Sequence, residues 1–111
     1  MSCRLQPRTL SDGASDVAGG NPEHGKDVIP LYGCPSCHVV PGIRGAKGPV
    51  GPSLQGIGTR IYIAGVLPNS PENLIRWIRN PRAISPKTDM PNMSIPESDA
   101  RNIAAYLLTL K

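Results

Sequence analysis

The chain has 111 residues, enough for one domain. It has few large apolar side chains with which to build a core, since it contains no Phe, one Trp and three Tyr beside 12 Gly and 13 Pro. Its formal charge of +4 favours an acidic partner, but its 12 basic residues are scattered without interleaved aromatics, which argues against nucleic-acid binding. No run of 18 apolar residues occurs, so no transmembrane span is predicted, and the first five residues lack the apolar stretch of a secretory signal.

Residues 1–20 have no apolar period and contain several Gly, Ser and Asp, so they are predicted to be a flexible lead or tether. The domain proper is then expected over 21–111. Two interpretations of Cys3 stay open. It is either the lipid-bearing first residue of a bacterial lipoprotein, with Met1 and Ser2 left from re-engineering, or an exposed thiol of no special role.

A first helix is predicted to begin at residues 21–23, where an Asn cap, a proline at the first helical position and an acid follow one another. Val28, Ile29 and Tyr32 form its apolar face. Pro30 lies inside this stretch and removes one backbone donor, which predicts a kink or an early break.

The helix leads into the pentapeptide Cys-Pro-Ser-Cys-His at residues 34–38, the pattern of covalent haem attachment. The two thiols can each add across one vinyl group of a haem, and His38 can ligate the iron. We therefore predict one haem c, bound through Cys34 and Cys37. Its apolar faces would supply the core that the composition lacks.

Two other uses of a cysteine pair fit the surroundings less well. A zinc site needs a second pair of ligands, and only Cys3 and His24 are left, at no finger-like spacing. A thioredoxin-like redox pair needs strands alternating with helices, whereas a Gly- and Pro-rich loop follows His38.

The next loop, residues 51–60, carries two candidate site residues. An iron-bound histidine needs an acceptor for its other ring nitrogen, and the carbonyl of Pro52, on stiff backbone, is our candidate. Arg60 is either a donor to a haem propionate or an ordinary surface charge.

A second helix is predicted to begin at residues 70–72 and to stop at Asn80-Pro81, with Trp77 on its apolar face as core or as haem wall. Three prolines, at positions 81, 86 and 91, should keep the following stretch extended, and this stretch holds Met90 and Met93. A last helix is expected to begin between Pro96 and Asp99 with Ser98 as its cap, and its apolar residues follow helical spacing.

Together these motifs resemble a class I, mono-haem c-type cytochrome over residues 21–111. They are Gly25 and Ile29, the pentapeptide, Gly-Pro-Ser-Leu at 51–54, Asn80-Pro81, Met90-Pro91 and Tyr106-Leu107. The stretch from residue 64 to 92 is most similar to the cytochrome c domain fused to subunit II of bacterial haem-copper cytochrome c oxidases, although from these 111 residues we expect no copper-binding domain or transmembrane hairpin before it.

The resemblance implies an all-α cytochrome c fold, with three main helices and Gly/Pro-rich loops wrapped around one covalent haem. It implies that the first and last helices cross near Gly25, with Ile29 against Tyr106. It also implies axial ligation by His38 and Met90, with Met93 as the alternative sulfur. Leu54 and Trp77 would line the haem.

Iron closed by imidazole and thioether has no position for a substrate, so we predict a one-electron carrier rather than an enzyme. Its redox partner, such as a terminal oxidase or a periplasmic dehydrogenase, would dock at the haem edge. Four basic residues are either part of this docking surface or ordinary solvated charges: Arg44, Lys47, Arg82 and Lys87. The expected location is the periplasm or the outer face of the bacterial inner membrane. Two alternatives are a haem enzyme or gas sensor with an open iron position, and a haem-free Cys/His binding module.

Overall fold

A computed structural model describes residues 17, 19–34, 38–43, 45, 48 and 51–111. The predictions for most of the lead, and those for Cys37, Arg44 and Lys47, lie outside these residues. The described elements are α1 (Pro22–Val28), β1 (Tyr62–Ile63), β2 (Leu67–Pro68), α2 (Pro71–Arg79), α3 (Pro81–Ile84) and α4 (Glu97–Leu107). No helix in these ranges is both long and apolar enough to cross a membrane. The predicted helical class is confirmed, with α1, α2 and α4 as the three main helices.

The start of α1 and its early end both follow from local chemistry. The Asn21 side chain accepts hydrogen bonds from the backbone N–H groups of Glu23 (3.0 Å) and His24 (3.2 Å). The α-helix ends at Val28, and the chain continues as a 3-10 turn over Ile29–Tyr32. The predicted break at Pro30 is confirmed, since its ring nitrogen has no hydrogen to continue the α-helical ladder.

The first and last helices cross at Gly25, as the resemblance implies. A β-carbon built on Gly25 would lie 1.9 Å from the Asn102 carbonyl oxygen, so only a bare backbone fits against α4 there. Ile29 and Ile103 are almost completely buried in the apolar core. This crossing joins the segment before the pentapeptide to the C-terminal helix.

Helix α2 begins and ends where the sequence predicts. The Ser70 hydroxyl accepts from the Asn73 backbone N–H (3.2 Å), and the helix ends at Arg79. The stretch after it is not simply extended, because Asn80 also caps α3 by accepting from the Ala83 N–H (3.2 Å). Pro81 therefore stops one helix and opens the next, because proline is well tolerated in a first helical turn.

Helix α4 begins at Glu97, so the prediction of Ser98 as its cap is wrong. Ser98 lies inside the first turn, and the capping position, Pro96, makes no side-chain hydrogen bond. The buried face of the helix matches the predicted apolar spacing and adds one more alanine: Ala100, Ile103, Ala104, Ala105 and Leu107.

Two further segments differ from the sequence-based picture. Val17, placed by prediction in the flexible lead, is 1 % exposed, and its carbonyl accepts from the Gly20 N–H (2.9 Å). The packed unit therefore reaches back at least to Val17. Strands β1 and β2 form an antiparallel hairpin that sequence patterning missed, with Ala64 and Gly65 at positive φ in its turn.

Candidate haem-binding site

The described ends of the pentapeptide are linked by a backbone hydrogen bond. The N–H of His38 donates to the carbonyl of Cys34 at 2.9 Å, the spacing of one α-helical turn. Cys34 is half-buried and packs against the apolar core. This hydrogen bond joins the backbone of the residue with the first thiol to the backbone of the histidine.

The imidazole of His38 is oriented by the loop that contains Pro52. Its Nδ1 lies 2.7 Å from the Pro52 carbonyl oxygen. A carbonyl oxygen can only accept, so Nδ1 carries the proton in this contact. Nε2 is then left with its lone pair, which is the form of histidine that binds a metal.

Gly51, the residue before Pro52, makes room for the same ring. A β-carbon there would lie 2.3 Å from Cε1 and 2.7 Å from Nδ1 of His38. Any side chain would displace the imidazole or the loop. The Gly-Pro pair therefore has two separate tasks, since glycine provides space and proline provides the acceptor.

Two further contacts hold the loop of residues 51–60, one from Leu54 and one from Arg60. The Leu54 N–H donates to the Val39 carbonyl (2.8 Å), next to His38, and the Leu54 side chain is half-buried against the core. Arg60 lies at the surface, yet its Nη2 donates to the carbonyls of Ser53 (2.6 Å) and Gln55 (3.3 Å). This inward contact was not foreseen from sequence. The donation of Arg60 to a propionate stays a prediction.

Apolar and sulfur-bearing residues predicted for the site share one core. Trp77 is 9 % exposed within that core, and Met90 and Met93 are both half-buried against it. The Met90 backbone N–H donates to the Thr88 hydroxyl oxygen (3.2 Å), which ties the methionine loop into a turn. Cys34, Leu54, Trp77 and Met90 therefore belong to one contiguous apolar region.

Two tyrosines join helix α4 to the chain on either side of His38. The Tyr106 hydroxyl donates to the Pro41 carbonyl (2.6 Å), and burial raises the pKa of Tyr106 above its usual value. The Tyr32 hydroxyl donates to the Asp99 carboxylate, and this hydrogen bond, more than desolvation or the carboxylate charge, raises the pKa of Tyr32. Neither contact was predicted from sequence.

His24 is not drawn into this site. Its Nε2 lies 4.0 Å from an Asp99 carboxylate oxygen, and about half of its side chain is exposed. His24 is thus a half-exposed residue on the first turn of α1.

Comparisons with known proteins agree with this architecture. The family model described as cytochrome c matches residues 22–111. The chain is 38 % identical over 88 residues to a cytochrome c oxidase subunit 2 of Alkalihalophilus pseudofirmus, covering 78 % of this chain and 25 % of that one. It is 33 % identical over 82 residues to a cytochrome c oxidase subunit 2 of Bacillus sp. strain PS3, covering 70 % and 23 %. The chain spans about a quarter of the length of these relatives. The match over nearly all of the described residues shows that this chain belongs to the cytochrome c family, whose haem-bearing domains transfer electrons.

Proposed function

We propose that this domain is a one-electron carrier that holds a covalent haem c through Cys34 and Cys37, with His38 and Met90 as its axial ligands. The contact between His38 Nδ1 and the Pro52 carbonyl (2.7 Å) carries this proposal, because it leaves the lone pair of Nε2 available to bind iron. When bound, the haem supplies an iron centre that cycles between two oxidation states. The protein supplies the ligands, their orientation and an apolar enclosure.

The described residues fit such a group. Gly51 lets the imidazole lie directly against the loop backbone, in space that any side chain would fill. Cys34, Leu54, Trp77 and Met90 contribute to a single apolar region, as a large flat apolar cofactor requires. A thioether from Met90 is a soft ligand that favours the reduced iron, and burial acts in the same direction.

Ligation by Met90 would leave no open position for a substrate, which separates a carrier from the haem-enzyme and gas-sensor alternatives. We would compare Met90→Ala with the matched variant Met93→Ala, since both sulfurs are half-buried against the same core. We expect M90A to lose the sulfur-to-iron absorption band of the oxidised protein and to bind carbon monoxide when reduced. M93A should keep the band. Loss of the band in M93A instead would transfer the ligand role to Met93.

We propose a respiratory redox partner, such as a terminal oxidase or a periplasmic dehydrogenase, on the outer side of the bacterial inner membrane. The names of the two relatives, cytochrome c oxidase subunit 2, support the oxidase as one partner. Arg82 and Lys87 are exposed and support an acidic docking partner. A lipid on Cys3 stays a prediction, outside the described residues.

Charge reversal tests this docking surface. The double variant Lys47→Glu/Arg82→Glu should slow electron exchange with an acidic partner at low salt, and the difference should shrink as salt rises. A control with the same change in net charge, Lys26→Glu/Arg76→Glu, alters two exposed residues of α1 and α2. Equal slowing by both double variants would show that net charge, and not this surface, governs the rate.

A further inference from the structure

The guanidinium group of Arg60 holds the loop that supplies the acceptor for His38. Nη2 of Arg60 donates to the Ser53 carbonyl at 2.6 Å and to the Gln55 carbonyl at 3.3 Å. Ser53 directly follows Pro52, so fixing the Ser53 carbonyl restricts the rotation of the neighbouring Pro52 peptide. That peptide's oxygen is the one that faces His38 Nδ1.

Arg60 is itself held in place by Asn69. The Asn69 Nδ2 donates to the carbonyls of Ile57 (2.8 Å) and Arg60 (2.9 Å), and the Asn69 backbone N–H donates to the Ile61 carbonyl (2.8 Å). A flipped amide would place its oxygen against two carbonyl oxygens, so the orientation is fixed. Among the described residues no donor reaches the buried Oδ1 of Asn69.

We propose that Arg60, braced by Asn69, is a positioning residue for the His38 ligand and thereby lowers the reduction potential of the bound haem. The inference rests on the proposed function, since it takes His38 as an iron ligand. Arg60 acts through the peptide of Pro52, at a distance from the iron. This role differs from donation to a propionate, which would act through charge.

The positioning role and the charge role shift the reduction potential of the haem in opposite directions. A well-placed carbonyl that accepts from Nδ1 makes the imidazole a stronger electron donor to the iron, which favours oxidised iron and lowers the reduction potential. A nearby positive charge favours reduced iron and raises the potential. Loss of the positioning role therefore raises the potential, whereas loss of the charge lowers it.

Arg60→Lys in the haem-loaded protein separates the two effects, because it keeps the charge but its nitrogen lies about one bond closer to the backbone than Nη2, the atom that makes both contacts with the loop. We expect a rise in potential equivalent to a threefold to tenfold change in the ratio of reduced to oxidised protein, roughly the weight of one hydrogen bond. At about 59 mV per tenfold for one electron, this is about 30 to 60 mV. Asn69→Ala should shift the potential in the same direction, and Arg60→Gln should give a lower potential than R60K.

A second readout is independent of the potential. The ring proton on Nδ1 of His38 should exchange with solvent faster in R60K and N69A, and its resonance in the reduced protein should move upfield as the hydrogen bond weakens. Arg76→Lys is the matched control, because Arg76 is exposed on α2 and, among the residues that the structure describes, its guanidinium bonds only to the side chain of Asn73 (3.2 Å). It should change neither quantity.

An R60K protein with unchanged potential and unchanged Nδ1 proton exchange, beside an R60Q protein with a lowered potential, would overturn the positioning role and leave a charge effect only. Failure of the proposed function is seen separately in the unmodified protein. It would show no covalent haem by mass, or no sulfur-to-iron band. If N69A does not fold, R60K alone decides the question.

Discussion

Replacing Gly25 by Ala at the crossing of α1 and α4 has two opposing effects on stability, steric overlap with α4 and a higher helix propensity of α1. The new methyl carbon would lie 1.9 Å from the Asn102 oxygen, 2.4 Å from its carbonyl carbon and 2.9 Å from the Ile103 nitrogen. All three atoms are backbone, so no side-chain rotation can relieve the overlap. Helix α1 has to move away from α4 by at least the 1.1 Å that separates 1.9 Å from the 3.0 Å below which such contacts essentially never occur.

The cost follows from the packing that this movement loosens. A gap of about 1 Å forfeits up to about half of the dispersion energy across the affected contacts, and overpacked sites typically lose about 1–3 kcal/mol, occasionally more. Ala is better than Gly inside a helix by about 1 kcal/mol, which acts in the other direction. Because the overlap is with backbone, we expect a gross cost at or just above the upper end of that range, about 3–4 kcal/mol, which leaves a net loss of about 2–3 kcal/mol. At about 4–8 °C per kcal/mol, the Tm should fall by roughly 10–20 °C.

Thermal unfolding followed by circular dichroism measures this change directly. The control is Gly65→Ala in the hairpin turn, where φ is +75° and no atom lies within 4 Å of the new β-carbon. It should cost only the left-handed backbone strain, about 1 kcal/mol. A G25A protein that melts at or above the unmodified protein would refute the close crossing, since helix propensity would then have decided the outcome.

Two further predictions concern the tyrosines beside the site. Tyr106→Phe removes the hydroxyl that donates to the Pro41 carbonyl (2.6 Å), and denaturant unfolding should show a loss of about 1 kcal/mol; an unchanged midpoint would mean that this bond adds no net stability. The pKa of Tyr32 is raised above 10.0 in the folded protein by its bond to Asp99, so the resulting stabilisation is complete below pH 10 and is lost as the pH rises through the folded value. Unfolding measured from pH 8 to about 11.5 should therefore show a smaller alkaline loss of stability in Tyr32→Phe, and identical pH profiles would contradict this assignment.

The helices were predictable where their ends carry local signals. Asn21 and Ser70 cap the helices that follow them, and Pro30 interrupts the first. Helix α3 was missed because Asn80 ends one helix and caps another, a double use that a stop signal does not reveal. Ser98 was a plausible cap by residue type, yet the helix already begins at Glu97.

In the candidate site too, features with a local sequence signal were predictable and contacts between distant residues were not. The haem pentapeptide and the choice of Pro52 as an acceptor depend on short motifs and on the known needs of a metal-bound histidine. The contacts of Arg60 with loop carbonyls, and of Tyr32 with Asp99, depend on how the chain folds back. Tyr32 and Asp99 are 67 positions apart, and no local pattern pairs them.

We propose that His38 and Met90 both ligate the iron of a one-electron centre. An optical redox titration of the purified protein, repeated under carbon monoxide, tests it most directly. We predict a single one-electron transition, with a reduced spectrum that carbon monoxide leaves unchanged. A reduced spectrum that shifts on addition of the gas, or a protein without visible absorption, would contradict the account.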